Sequence, residues 1–441
     1  MKKINIPLVL LMYAMIFNPP VLSFGWISEN FPVKGLNWIW IVMPLSLIYL
    51  WMNRKHLKKY VNLKAVLITE CVIAGMLVYC MLIAVINHNP VTAFGYMVYW
   101  MAGDIPFGLA VWVYLRKKGQ GFEELLDHLL GAGLVMAATS VLAFIPAVKE
   151  FFVRIMEAYG IPYVRRLSLY RNYGLAANMT ATASFVQAVL ALTALYRAVK
   201  GRKIWYAFFP LLALSANLNT RASIIFILAG MAAILVSQLW SRNIKEAGKF
   251  LIVAAVSVGV AFGGKYLVQV INPQTSAWLA KGMSQMADFV SGAEIEEGYE
   301  GGYFGMLGEM SGWAVLPRGI HLVFGEGRGI LWGHEEYGVH SDIGFVNDLW
   351  RGGILYSAAV IGLYILVLWK IMHSKTVSWQ DGIFFSGFFL LVFLVNNVKG
   401  SFFIHSDVTA VIWMMIPALL WNRAEEAAPE LPTKGIKAEG A

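Results

Sequence analysis

Apolar runs of about 20 residues follow one another along this chain, each long enough for a helix to cross a ~30 Å hydrocarbon core. The pattern predicts spans near 5–24, 35–52, 64–87, 92–115, 126–148, 174–197, 204–219, 222–240, 249–270, 343–369, 381–398 and 407–422. The rhythm breaks once. Between Ile271 and Asp342 the chain turns polar and Gly-rich and carries Arg and His. The expected fold is an all-α polytopic membrane protein with about 12 transmembrane helices and one large external loop. Residues 1–270 hold spans one to nine, 271–342 the loop, 343–422 the last three spans, and 423–441 a polar, disordered tail. Backbone polar groups in lipid must bond internally, which selects helices. The period-2 alternation of a barrel is absent.

Lys and Arg give the sidedness. Arg54–Lys64, Arg116–Lys118, Arg197–Lys203, Arg242–Lys249 and Lys370–Lys375 fall in alternate loops, on one side with the first Lys pair. That side is cytoplasmic by the positive-inside rule, and both termini with it. The opposite side holds Gly25–Lys34, Asn87–Pro90, Lys149–Tyr173, the turn Asn217–Arg221, the long loop, and Asn396–Ser406. Lys149–Tyr173 breaks the rule, because it carries Arg154, Arg165, Arg166 and Arg171 on the disfavoured side. Basic residues kept there call for a reason.

Composition agrees. The 441 residues are 59% hydrophobic and 14% charged, with a mean hydropathy of +0.63. The net charge of +9 sits largely in loops that set orientation and does not suggest nucleic acid. Cys71 and Cys80 share one span, ~13 Å apart along its axis, too far to pair, and read as inert. The apolar start after Met1-Lys2-Lys3 lacks a small-residue cleavage site and reads as a retained span. Most of the 16 Trp fall at span ends, as an interfacial belt requires. Trp313 and Trp332 in the loop could stack on sugar rings or simply pack.

Four constellations could carry chemistry. Arg171, with Arg165 and Arg166, precedes a span opening at Gly174-Leu175. Forked guanidinium donors and a helix N-terminus suit a phosphate; contact with lipid headgroups is the bland alternative. Arg221 sits between two spans with almost no loop, beside Asn217, Asn219 and Thr220, where a charge is costly unless it snorkels or pairs. A structural cap is the alternative. The loop ends in Phe324-Gly325-Glu326-Gly327-Arg328, then Gly333-His334-Glu335-Glu336, then His340-Ser341-Asp342. Its glycines permit a ligand close to the backbone, and His340 or Asp342 could deprotonate an acceptor hydroxyl. A metal at His334–Glu336 lacks a second His at helical spacing, so no metal or cofactor is expected. Last, Asp104 reads as the only clear mid-span acid, beside Gly103 and Pro106, which break or kink its helix.

Taken in order, these motifs resemble one superfamily. Arg171-Asn-Tyr-Gly174-Leu175 opens a span, Thr220-Arg221 stands where the family often has Ser-Arg, and a long external loop ends in Phe-Gly-x-Gly and His-x-Asp. This is similar to the O-antigen ligases and the O-antigen or capsule repeat-unit polymerases, over roughly Arg165–Trp369. The resemblance implies a membrane glycosyltransferase of GT-C-like architecture in the bacterial inner membrane. It implies inverting, metal-independent transfer of an oligosaccharide from undecaprenyl pyrophosphate to an acceptor hydroxyl at the outer face. By motif, Arg171 and Arg221 hold the pyrophosphate, Arg166 and Arg328 assist, and His340 and Asp342 stand by the acceptor. Partners would be the lipid-linked oligosaccharide, membrane lipid, and the pathway's flippase and chain-length regulator. Ser341-Asp342-Ile343-Gly344-Phe345 looks more like polymerases than ligases. A ligase acting on lipid A core is the nearest rival. A transporter would place polar residues along a midplane path between repeated halves, and no such repeat is visible.

Overall fold

The computed structural model describes residues 4–20, 38–91, 97–98, 100–160, 164–169, 171–177, 181–220, 222–240, 245, 247–257, 273, 277, 316–328, 343–374, 377–398 and 407–423. Among these the structure is helical, and one isolated bridge, Val61 to Asn422, is its only β pairing. In chain order the helices are α1 Ile6–Phe17, α2 Ile39–Met52, α3 Arg54–Tyr60, α4 Leu63–Ile86, α5 Ile105–Lys117, α6 Phe122–Leu142, α7 Pro146–Ala158 and α8 Val164–Ser168. They continue as α9 Ala181–Val199, α10 Ile204–Asn219, α11 Ala222–Trp240, α12 Ala247–Ser257, α13 Ile320–Phe324, α14 Gly344–Met372, α15 Trp379–Val398 and α16 Asp407–Leu419. Each predicted span overlaps one of these helices. Four stretches, Leu63–Ile86, Phe122–Leu142, Thr182–Val199 and Gly344–Met372, are long and apolar enough to cross a membrane.

Helix α9 is the axis of the bundle. It packs against α6, α10, α11, α15 and α16, and nearly all of its length is buried. Its Ala183, Ala188, Ala191, Ala194 and Ala198 present almost no bulk, so neighbouring backbones approach closely and dispersion holds them. Opposite it, Gly133 of α6 and Gly230 of α11 leave room for Leu190 and Leu192. Helices α4 and α14 lie at the margin, each with much of its apolar surface exposed.

Several boundaries differ from the sequence reading. The stretch 126–148 is α6, ending at Leu142, and then a separate amphipathic helix, α7. Pro146 lacks the N–H that would continue α6 and instead opens α7. The stretch 174–197 does not open as a helix: 174–177 is irregular and bonds to other helices, and the described helix is Ala181–Val199. Arg197 is not in a loop. It is 1% exposed in α9, paired with Asp127 at 3.1 Å and with Glu123 at 3.1 Å, while Trp205 and Arg202 also bond Asp127. Asp104 closes a π-helical turn, Trp100–Asp104, leading into α5, so the expected break beside Gly103 and Pro106 is present. Asp104 is not the only acid inside a span, however. Asp127 lies in α6, and Asp348 lies in α14 with its carboxylate 2.7 Å from Arg351, the pair 2% and 1% exposed. An ion pair three residues apart neutralises both charges, which is how they are tolerated there.

Helix α14 is broken at Gly353, where φ is +68° and ψ is −164°. A break strands the carbonyls of the preceding turn. The segment Phe324–Arg328 takes them up. Glu326 N donates to Trp350 O at 2.9 Å, Gly327 N to Arg351 O at 3.1 Å, and Arg328 N to Trp350 O at 3.3 Å. The Tyr79 hydroxyl is shared between Phe324 O and Gly352 O, and Asn89 Nδ2 donates to Glu326 O. The glycines of this segment therefore approach not a ligand but the protein's own helices. A Cβ on Gly327 would stand 2.3 Å from Ala84 Cα, and one on Gly325 would stand 2.5 Å from Gly352 Cα.

Contacts between the connecting segments form two sets. One joins Asn53 to Lys117, Lys200 to Asp381, Asn5 to His128, and Arg423 to Lys58. The other joins Asn89 to Glu326, Asn18 to Tyr159, Lys149 to Asn172, and Asn172 to Leu218.

Gly353→Ala is expected to destabilise the protein by about 2 kcal/mol or more, from positive φ and a Cβ 2.3 Å from Val323 O. Gly362→Ala, in the same helix with nothing within 4 Å, is expected to be neutral or to stabilise by about 0.5 kcal/mol. Thermal unfolding of the two purified variants checks the pair; equal midpoints would contradict the break at Gly353.

Candidate functional site

The extended stretch 171–177 is threaded into the bundle, and its peptide groups are met one by one. Asn172 N donates to Leu218 O at 3.3 Å, at the end of α10. Leu175 N donates to Thr139 Oγ1 of α6 at 3.2 Å, and the Tyr13 hydroxyl of α1 bonds Leu175 O. Ala177 N is shared between Phe17 O and Asn18 O, at 3.2 and 3.1 Å. Gly174 permits the passage, since a Cβ there would lie 2.3 Å from Thr139 Oγ1. Asn18, which ends α1 in a left-handed conformation at φ 43°, turns its carbonyl to this strand, and its side chain accepts from Trp38 N.

The end of α10 is held as firmly. Thr220 is extended, Thr220 Oγ1 donates to Ser184 Oγ of α9 at 3.1 Å, and Ser184 Oγ donates to Ala216 O at 2.7 Å. Ser223 Oγ donates to Thr220 O at 2.8 Å and to Asn217 Oδ1 at 3.0 Å. Arg221 itself lies outside the described residues. What the structure does bring together is the Arg171 segment and the turn preceding Arg221, through the Asn172–Leu218 bond.

The basic residues of 149–173 divide sharply. Arg154 pairs with Glu150 at 2.9 Å, and Arg165 reaches both Glu150 at 3.3 Å and Glu157 at 2.8 Å. The guanidinium of Arg154, with that of Arg165, holds the Glu150 carboxyl below its usual range, and Arg165 does the same for Glu157. Arg165 is thus an internal strut between α7 and α8. Arg166 is exposed, and Arg171 is half-buried with Nη1 donating to Tyr173 Oη at 3.3 Å.

Lys149 was not singled out by the sequence. It is half-buried in the first turn of α7, its Nζ donates to Asn172 Oδ1 at 3.0 Å, and burial lowers its pKa to about 8. Among the described residues no carboxylate pairs with it. Asn172 is 0% exposed, and its Nδ2 has no hydrogen-bond partner among the described residues. Asn219, also wholly buried, leaves Oδ1 without one. The signal in the sequence was the anomalous basic loop, but only geometry separates its compensated members from Lys149.

Arg328 occupies a different neighbourhood. Its Nε lies 2.7 Å from Glu326 Oε2, and its guanidinium covers the Trp350 ring at 5.3 Å. Its charge is engaged within the segment that seals the break in α14. His340, Asp342, His334, Glu335, Glu336, Trp313 and Trp332 lie outside the described residues. Among the described residues no group of three His, Cys, Asp or Glu could hold a metal ion. No protein-family model and no curated protein matches this chain.

The Lys149 position predicts a pH signature. Its folded pKa lies below the ordinary 10.5, so between about 8 and 10.5 the unfolded chain holds a proton the folded protein has released. Stability contributed by this group therefore rises with pH across that window. Lys149→Met removes that rise, whatever the loss of the Asn172 bond does at pH 7. Melting temperatures at pH 7, 8, 9 and 10 for both proteins check it, and parallel curves would refute the burial of this ammonium.

Proposed function

We propose that this protein is a membrane glycosyltransferase that polymerises undecaprenyl-pyrophosphate-linked repeat units into an O-antigen, capsule or exopolysaccharide. It works at the outer face of the bacterial inner membrane, with about twelve spans and both termini in the cytoplasm. The observation that carries the reading is the Asn172–Leu218 bond, which joins the Arg171 segment to the turn preceding Arg221. Two arginines from distant parts of the sequence suit the two phosphates of one pyrophosphate. The two sets of segment contacts support the sidedness on which this rests.

In the reaction, the acceptor hydroxyl oxygen attacks the anomeric carbon of the lipid-linked sugar. The bond from that carbon to the pyrophosphate oxygen breaks, and undecaprenyl pyrophosphate leaves with the electron pair. His340 or Asp342 takes the hydroxyl proton. Pyrophosphate is a good leaving group, so alignment and offsetting of its growing charge supply most of the acceleration. Irregular backbone held at fixed positions on packed helices is a suitable mount for such donors.

Arg221→Lys and Arg171→Ala are each expected to lower polymerisation about 100-fold, the scale of removing one preorganised donor from developing charge. A gel of surface polysaccharide and lipid-linked intermediates from a complemented deletion strain reads this out. Loss of the ladder, with single repeats on the normal acceptor, means polymerase. Long chains stranded on the carrier mean ligase. A normal ladder from well-expressed variants removes the proposal.

A further inference from the structure

We propose that Lys149 is a third cation of this anion site, contacting the pyrophosphate-class group directly, with Asn172 as its positioning residue. The inference rests on the pyrophosphate reading above and deepens it.

The pairing pattern carries it. Along α7 and α8, Arg154 and Arg165 are neutralised by Glu150 and Glu157. Lys149, one residue from Glu150, takes no part in that network and turns to a neutral amide instead. A half-buried ammonium that meets no counter-charge among the described residues is costly, and its place in the first turn of α7 adds to the cost. The positive end of a helix dipole disfavours a cation and favours an anion. Substituting Lys149 would relieve both costs, so its presence is informative.

Two donors of the kind an anion accepts from lie beside each other. An ammonium has three N–H donors, and Asn172 Oδ1 takes one from Lys149. On the same amide, the wholly buried Nδ2 is a further donor without a partner among the described residues. Asn172 follows Arg171 in the chain and bonds Leu218 at the turn preceding Arg221. An ammonium from α7 and an amide from the irregular stretch thereby meet beside the α10 end, next in the chain to Arg171. A diphosphate, with more acceptor oxygens than one phosphate, matches this set best. An exposed residue such as Arg166 is the better match for a phospholipid headgroup.

The test uses full-length protein in phosphatidylcholine nanodiscs and farnesyl pyrophosphate as the probe, with farnesyl monophosphate as the comparison. Lys149→Met is expected to weaken pyrophosphate binding about tenfold, the scale of one charge-assisted hydrogen bond, while Lys149→Arg retains most of it. Asn172→Asp keeps the shape but gives Lys149 an internal carboxylate. It is expected to weaken binding with its melting temperature unchanged or raised, which a merely structural role would not produce. Monophosphate is expected to bind more weakly than pyrophosphate to the wild type. Wild-type binding that is equalled by folded Lys149→Met and Asn172→Asp overturns this inference and leaves the Arg171–Arg221 reading standing. A Lys149→Met effect confined to nanodiscs containing phosphatidylglycerol overturns it in favour of a headgroup contact. Folded wild type that binds no pyrophosphate lipid overturns both.

Discussion

A peptide group left without a partner in hydrocarbon costs several kcal/mol, and this constraint governs every irregular stretch of the bundle. Two stretches are irregular among the described residues inside it, and they meet the constraint in complementary ways. At 324–328 the irregular segment supplies N–H donors to the carbonyls stranded where α14 breaks. At 171–177 the helices supply the partners, through Thr139, Tyr13, Phe17, Asn18 and Leu218. In both cases glycine marks the point of closest approach, at Gly174, Gly325, Gly327 and Gly353. Backbone satisfaction thus decides where the polar side chains of these stretches are delivered.

Charge obeys a related rule. Arg197 is buried but shares carboxylates with Asp127 and Glu123, and Arg351 is buried but lies against Asp348. Such pairs are internally balanced, and the Arg197 cluster also joins α9 to α6. Against that background, a half-buried cation that among the described residues meets an amide and no carboxylate stands out more than the paired arginines. Counting the basic residues of 149–173 overstates the candidates, because Arg154 and Arg165 pair with Glu150 and Glu157.

Much of the helical architecture was legible because apolar runs have one economical solution in lipid. Local punctuation was less so. Pro146 could be read as a helix start only once α6 was known to end at Leu142. Gly325 and Gly327 were read as room for a ligand, whereas the room is taken by Gly352 and Ala84, residues remote in sequence. Asp348 and Arg351 passed unnoticed because their three-residue spacing cancels two charges inside an otherwise apolar run. The order of Arg171 and Arg221 along the chain could be read directly. That the first would lie by the turn preceding the second could not, since it depends on a single backbone bond from Asn172. The same holds for Lys149, whose meaning lies in which neighbour it ignores.

The mounting of the site follows from these constraints taken together. Helix α9, buried along nearly all of its length, holds the α10 end through Ser184, and it holds α6 through Gln187, whose Nε2 donates to Gly133 O. α6 in turn receives Leu175 through Thr139, and the α10 end receives Asn172, which anchors Lys149. A continuous set of hydrogen bonds therefore runs from α9 to Lys149. Donors held this way need little reorganisation when charge develops before them, which is the condition under which electrostatic stabilisation is largest. A midplane transport path would instead need its polar groups midway along the helices, between parts free to rock. Here the ionised side chains embedded in the bundle at Asp127–Arg197 and Asp348–Arg351 are locked in pairs, whereas Lys149 meets an amide and, among the described residues, no carboxylate. That distribution suits chemistry performed at a surface on a substrate anchored in the bilayer.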